Sequence, residues 1–271
     1  MRAQITPGLV SDIQILDFVR SELAADRRAA LVTITGLDGP FSRPLGAQLA
    51  VSETGDYLGS ISGGCLETAL AQEAVEALAE GKNRQTRYGR GSRFIDVRLP
   101  CGGGIDLHIN VSPDPVVLER ALAHAGMRQP FSLAMDIDAP QANLRLAQAR
   151  ETGRSEGVFH RLFRPALRLC MAGRGWEIVA LCDLAARAGC EVVAASQETA
   201  TLDYCRPFAA TLIELRTPAT LPSLPVDRFT AVACLFHDRE WEAGLLLDAF
   251  ASDAFYIGAV SYTHLTLPTK A

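Results

Sequence analysis

The 271-residue sequence predicts an α/β protein of two domains, the second built on a doubly wound parallel sheet. Three observations predict it. An apolar fraction of 48% can fill the cores of two domains. Past Arg164-Pro165 the chain restarts with a short apolar run, a glycine turn, a helix and a second apolar run, the opening of a dinucleotide-type fold. From there strand and helix patterns alternate, as a parallel sheet requires. The expected boundaries are 1–164, 165–259 and a tail of 260–271.

Taken in order, Ser11 to Arg28 reads as an amphipathic helix, with Ser11 as N-cap and Ile15, Phe18, Val19 and Leu23 on one side. Ala29 to Thr35 and Gly46 to Ser52 read as strands, joined by a loop that carries Ser42-Arg43-Pro44. A turn at Thr54-Gly55-Asp56 leads to a strand from Tyr57 to Ile61. That strand delivers the chain to Ser60-Ile61-Ser62-Gly63-Gly64-Cys65-Leu66-Glu67. A helix follows, because Leu66, Leu70, Ala74 and Leu78 recur every four residues and Gly81 ends the pattern. A helix start offers unpaired N–H groups and partial positive charge, which suit an anion and favour thiolate over thiol. Cys65 therefore reads as a reactive or ligating thiol, or else as a buried cysteine at a tight turn.

Gln85 to Tyr88 is a short strand, and Gly89 to Arg93 a basic, flexible loop. Phe94 to Leu99 alternates as a half-buried strand. In the next strand Ile105, Leu107, Ile109 and Val111 are expected inward, and Asp106, His108 and Asn110 outward. Pro100-Cys101-Gly102-Gly103-Gly104 joins these two, which puts Cys101 at a loop tip or sheet edge. His108 is expected on the solvent face rather than on a metal. Val116 to Ala125 reads as a helix, Phe131 to Ile137 and Val158 to Phe163 as strands, and Gln141 to Gly157 as an exposed polar excursion.

In the second half, Leu167 to Met171 is a strand, Ala172-Gly173-Arg174-Gly175 a turn, and Trp176 to Arg187 a helix closed by Gly189. Strands follow at Glu191 to Ser196, Ala210 to Leu215, Ala231 to Phe236 and Phe255 to Ile257, with a helix over Glu240 to Phe250. The nucleotide signature is incomplete. Ile178 stands where a third small residue belongs, and Ser196 where an acidic side chain would grip a ribose, with Glu198 nearby. Gly173, Gly175, Ser196, His237 and Asp238 are the nucleotide-site candidates, and Ser196 would tolerate a phosphorylated ribose. Phe236-His237-Asp238 lies at a strand's C-terminal end. There His237 can transfer a proton, or with Asp238 simply cap the next helix.

A net charge of −5 gives no general attraction to nucleic acid or to anionic membranes. No apolar run is long enough to span a bilayer, and Met1 to Pro7 lacks the apolar core of a signal peptide. A cytoplasmic location is expected. Seven scattered cysteines, with no Cys-x-x-Cys and no His-x-x-x-His, argue against structural zinc.

On Ser42 to Gln48, Gly59 to Glu67 and Asp96 to Gly104, the chain resembles the XdhC/CoxI family, accessory proteins of xanthine-dehydrogenase-type molybdenum enzymes. The Gly173/Gly175 turn, Phe236-His237-Asp238 and Tyr256-Ile257-Gly258-Ala259 extend the resemblance, which covers about residues 10 to 259. It implies an N-terminal XdhC-type domain, a Rossmann-like second domain, and a chaperone that binds the molybdenum cofactor, aids its sulfuration with a cysteine desulfurase and delivers it to an apo-enzyme. The cofactor is expected in its mono- or dinucleotide form. Arg43, Ser62, Gly63, Gly64, Cys65, Glu67, Cys101, Gly102 and Gly103 are the implied cofactor-binding residues. Within this set Cys65 and Cys101 face the soft metal, Arg43 pairs with phosphate, and the helix-start N–H groups receive the phosphate. A homodimer is compatible with this. After Ala259 the sequence leaves the family pattern, so the chain reads as C-terminally truncated, with a poorly docked tail and a less stable second domain. Two other readings compete: an NAD(P)-dependent oxidoreductase with His237 as the acid, and a sulfur carrier using Cys101.

Overall fold

A computed structural model describes residues 10–64, 66–92, 102–111, 113–139, 143–219, 222–236 and 238–260. The expected strand from Phe94 to Leu99 and the tail beyond Val260 lie outside these residues. The chain divides into two compact units, Met1–Pro165 and Ala166–Ala271. Among the described residues no helix is long and apolar enough to cross a membrane.

The first unit opens with α1 (Asp12–Ala24), started by a reciprocal capping box between Ser11 and Gln14. The helix stops short of the expected Arg28 because Asp26 turns into the left-handed region at φ 58°. Arg28 instead donates to the carbonyl of Leu78 at 2.9 Å. Strands β1 (Ala29–Asp38), β2 (Gln48–Ser52) and β3 (Tyr57–Gly59) follow, then α2 (Glu67–Glu80), β4 (Arg84–Gly89) and β5 (Gly104–Val111). These strands form an antiparallel five-stranded sheet in the order β3-β2-β1-β5-β4. Helix α2 closes on Gly81 in the αL conformation. It covers one face of the sheet, packing Leu70, Ala74 and Leu78 against Ala30, Val32, Ile34 and Ile109.

The other face is also covered. Helix α3 (Pro115–Gly126) and strands β6 (Phe131–Asp136), β7 (Arg145–Ala147), β8 (Gly153–Ser155) and β9 (Val158–Phe163) complete the unit. The last four strands make a second sheet in the order β7-β6-β9-β8. Leu16 and Val19 of α1, Leu118 of α3, and Phe131, Leu133, Phe159 and Phe163 of this sheet share a core with Ala29 and Leu31 of β1. The outward placement expected for His108 and Asn110 is therefore wrong: they are 2% and 1% exposed. From Leu107 to Asn110 alternation along β5 marks two dry faces, whereas Asp106, expected outward too, keeps 45% of its side chain exposed. The 141–157 excursion is mostly exposed where it is described, as expected. It supplies β7 and β8, each three residues long and too short for a periodic signal.

The second unit alternates β10 (Arg168–Gly173), α4 (Trp176–Arg187), β11 (Glu191–Ser196), α5 (Thr199–Cys205), β12 (Thr211–Glu214), β13 (Thr230–Leu235), α6 (Arg239–Ala251) and β14 (Tyr256–Ala259). All pairings are parallel, in the order β12-β11-β10-β13-β14. This is the doubly wound order that the alternation predicts. Met171, Val192 and Ala194 pack on Ile178 and Cys182 of α4. Ala172, Ala195 and Cys234 pack on Leu245 and Leu246 of α6. With both faces buried, the strands read as continuous apolar runs.

Candidate functional site

The glycine-cysteine segment after β3 is organised by one carboxylate. Gly63 and Gly64 sit at φ 80° and 118°, with open space where a Cβ would stand. Backbone conformation, not crowding, requires glycine there. The resulting turn aims successive N–H groups at Glu67, the first residue of α2, which is 3% exposed. Its Oε1 accepts from the N–H groups of Ile61 (2.9 Å), Ser62 (2.8 Å) and Gly63 (3.1 Å), and from the Ser60 hydroxyl (3.0 Å). Its Oε2 accepts from the N–H groups of Gly64 (2.8 Å) and Leu66 (3.2 Å), and from the Ser62 hydroxyl (2.8 Å). Burial pushes the Glu67 carboxyl up. The bonds from the Ser62 N–H and hydroxyl and from the Ile61 N–H outweigh burial and bring it down to about 2.

This corrects the expected phosphate site at the helix start. The anion bound there is supplied by the chain itself, and the N–H groups of residues 61–64 are already engaged. Ser62 has no hydroxyl to spare either, since it also accepts from Leu66 N–H at 2.8 Å.

The second glycine segment leads into β5. Gly102 sits at φ 68°. A Cβ on Gly103 would stand 2.6 Å from the Asp38 carbonyl oxygen and 2.9 Å from the Phe41 ring, so glycine is needed for close approach to the end of β1. Strands β1 and β3 both run antiparallel to β2, and β5 runs antiparallel to β1. The register sets Gly59 level with Leu49 and Val32, and Gly104 level with Asp38, six residues further along β1. Cys65 and Cys101 themselves lie outside the described residues. Arg43 is exposed on the loop before β2, and lines a cavity with Ser60.

In the second unit the candidate nucleotide residues have structural employment. Ser196 is fully buried and its hydroxyl accepts from Glu198 N–H at 3.2 Å, so it cannot meet a ribose. Gly175, at φ 79°, donates its N–H to the Thr201 hydroxyl at 3.2 Å, and that hydroxyl donates to Glu198 at 2.9 Å. Asp238 caps α6 by accepting from Glu240 N–H at 3.0 Å. His237 lies outside the described residues. Gly173 serves packing: a Cβ there would stand 2.8 Å from that of Leu235 on β13. Gly173→Ala is expected to destabilise this unit by about 1–3 kcal/mol. Urea unfolding followed by tryptophan fluorescence reads it directly, since Trp176 and Trp241 both belong to this unit. An unchanged midpoint would refute the packing role.

Two residues escaped the sequence reading. Gln48, a buried amide between Ala47 and Leu49, was detectable as a polar residue in an apolar strand. Arg161 carried no local signal, because its ion-pair partner Asp12 lies 149 residues away.

An antiparallel sheet with a carboxylate-closed glycine loop is followed by a parallel doubly wound unit, and on the likeness to the relative below the chain belongs to the XdhC and CoxI family. A sequence profile of that family matches residues 22–89. The molybdenum cofactor insertion chaperone PaoD of Escherichia coli K12 is 37% identical over 254 residues, spanning 93% of this chain and 73% of PaoD. The fold is similar to the crystal structure of a Bacillus halodurans protein described as a xanthine dehydrogenase. The TM-score is 0.77 at 19% identity, over 94% of this chain and 83% of that one.

Proposed function

We propose that this chain is a molybdenum cofactor chaperone, which assists sulfuration of the cofactor and its insertion into a xanthine dehydrogenase-type apo-enzyme. The observation that carries this reading is the 37% identity to an insertion chaperone over 93% of the chain. In this reading residues 1–164 bind the cofactor, in its mono- or dinucleotide form, and residues 165–259 form the Rossmann-like domain. Cys65 and Cys101 offer thiolates to the soft molybdenum centre. Glycines 63, 64, 102 and 103 let backbone close around it, while Ser62 and Glu67 hold the loop in shape. A cysteine desulfurase supplies sulfur, the setting is the cytoplasm, and a homodimer is compatible with it. The oxidoreductase reading is weaker, because Ser196 is sealed in the core and the Gly175 N–H is already bonded.

Expression in a molybdenum-replete host, followed by oxidative release and fluorescence detection of the pterin, tests the proposal. Pterin and molybdenum are expected to co-purify in near-equal amounts, and Cys65→Ala and Cys101→Ala to lose most of both. Protein that carries neither would overturn it.

A further inference from the structure

We infer that the outer face of the β7-β6-β9-β8 sheet is a docking surface for a carboxylate-rich segment of a partner protein, received by Arg145, Arg150 and His160. The inference stands or falls apart from the cofactor the chain carries.

The strand register builds this surface. Phe131, Leu133 and Met135 of β6 enter the shared core, so Ser132, Ala134 and Asp136 belong to the other face. Arg145 of β7 and His160 of β9 both stand opposite Ala134, one on each side. Their Cα atoms are therefore about 10 Å apart, across a side chain that ends at its Cβ. In the next row the Ser132 hydroxyl accepts from the Arg150 N–H at 2.9 Å and donates to the Arg150 carbonyl at 3.1 Å. That sets Arg150 beside the same floor. Arg145 and Arg150 are exposed, and His160 is half-buried.

The neighbouring arginines are already engaged. Arg154 pairs with Asp138 and Arg164 with Glu151, while Arg161 pairs with Asp12 in the wall of the cavity it shares with Gln48 and Ser60. Arg145, Arg150 and His160 hold no carboxylate among the described residues. Burial lowers the His160 pKa, and the Arg150 and Arg145 guanidinium groups lower it further, with no carboxylate opposing them. Asp136, on the same face, acts on His108 instead.

Gathering like charges costs energy, and a chain of net charge −5 has acids to offset it but sets none there. Carboxylates from outside remove that cost. A guanidinium takes a carboxylate through two parallel N–H bonds. The His160 Nδ1 is buried without a partner, which leaves Nε2 to donate to the same ligand. The acidic chain repels a dense polyanion such as nucleic acid, whereas a short carboxylate segment lies within the screening length of about 8 Å at physiological salt.

Fluorescence anisotropy of a hexaglutamate peptide carrying an uncharged dye tests the surface on the full chain. Wild-type protein is expected to bind it, several-fold more weakly at about 200 mM than at about 20 mM salt. Arg145→Glu with Arg150→Glu is expected to weaken binding about tenfold or more. Neither side chain holds another group among the described residues, so this reversal leaves the fold intact. Arg216→Glu with Arg228→Glu, on the second unit, changes the net charge equally and is expected to leave binding within about twofold. The His160 imidazole signal in proton NMR, assigned with His160→Gln, is expected to titrate at higher pH when the peptide is bound, since carboxylates favour the charged ring. No binding, equal loss in the two double variants, or an unmoved His160 overturns the inference. So does tighter binding of a short thymidine strand, or self-association of the wild type that Arg145→Glu with Arg150→Glu abolishes.

Discussion

Glu67→Gln is expected to destabilise the N-terminal unit by about 3–5 kcal/mol, among the largest effects of any single substitution in this chain. Seven donors converge on the two carboxylate oxygens. The amide keeps one acceptor and turns an NH₂ group against N–H groups aimed at the lost oxygen, of which those of Gly63 and Leu66 also reach the Ser60 and Ser62 hydroxyls. The charge itself carries much of the effect. The carboxyl lies at about 2, against 4.5 for an ordinary glutamate, and that difference corresponds to about 3 kcal/mol. A lowered carboxylate stabilises fully above its unfolded value. This contribution is lost as pH falls from about 4.5 towards 2. Tryptophan fluorescence is blind to the unit, because both tryptophans lie in the other one. Hydrogen exchange on peptides covering β1 and β5 reports its unfolding instead. Protection that survives Glu67→Gln would remove the carboxylate from its central place.

His108 is expected to govern stability in a higher pH window. Its side chain is buried between the two sheets, with neither ring nitrogen bonded among the described residues. Burial holds its pKa down to about 4, against the opposing pull of Asp136. The unfolded chain takes up a proton near pH 6.5, while the folded one refuses it until about 4. Stability therefore falls as pH drops from 6.5 to 4, by about 3 kcal/mol in all. His108→Leu is expected to abolish that slope and leave the Glu67 slope below pH 4.5 intact. The same exchange measurement, run from pH 7 to pH 2 with intrinsic rates corrected, reads both. A slope unchanged in His108→Leu would mean that the imidazole protonates freely in the folded state.

These two residues also show where sequence reading works and where it stops. The parallel unit was legible almost element by element, because strands buried on both faces become apolar runs, and glycine turns punctuate them. Only α5, a seven-residue helix, went unseen. The reading of β5 failed for a long-range reason. Alternation tells which residues share a face, but not whether that face is wet. The sheet that dries the His108 face comes from residues 131–163, far along the chain. At the glycine loop, local chemistry was read correctly and the wrong partner supplied. A helix start does call for an anion. The anion is Glu67, six residues after Ile61, and only the turn at Gly63 and Gly64 reveals that its side chain folds back to meet those groups. The cavity was half legible: Gln48 was conspicuous in its strand, whereas the pairing of Arg161 with Asp12 exists only once the chain has folded.

A binding loop usually has to be ordered by what it binds, and the ordering is subtracted from affinity. Here Ser60 to Gly64, and Leu66, are tied down from within. An incoming molecule finds its walls standing and leaves them standing on departure. In the proposed role of handing a cofactor on, that arrangement favours quick exchange over tenacious grip.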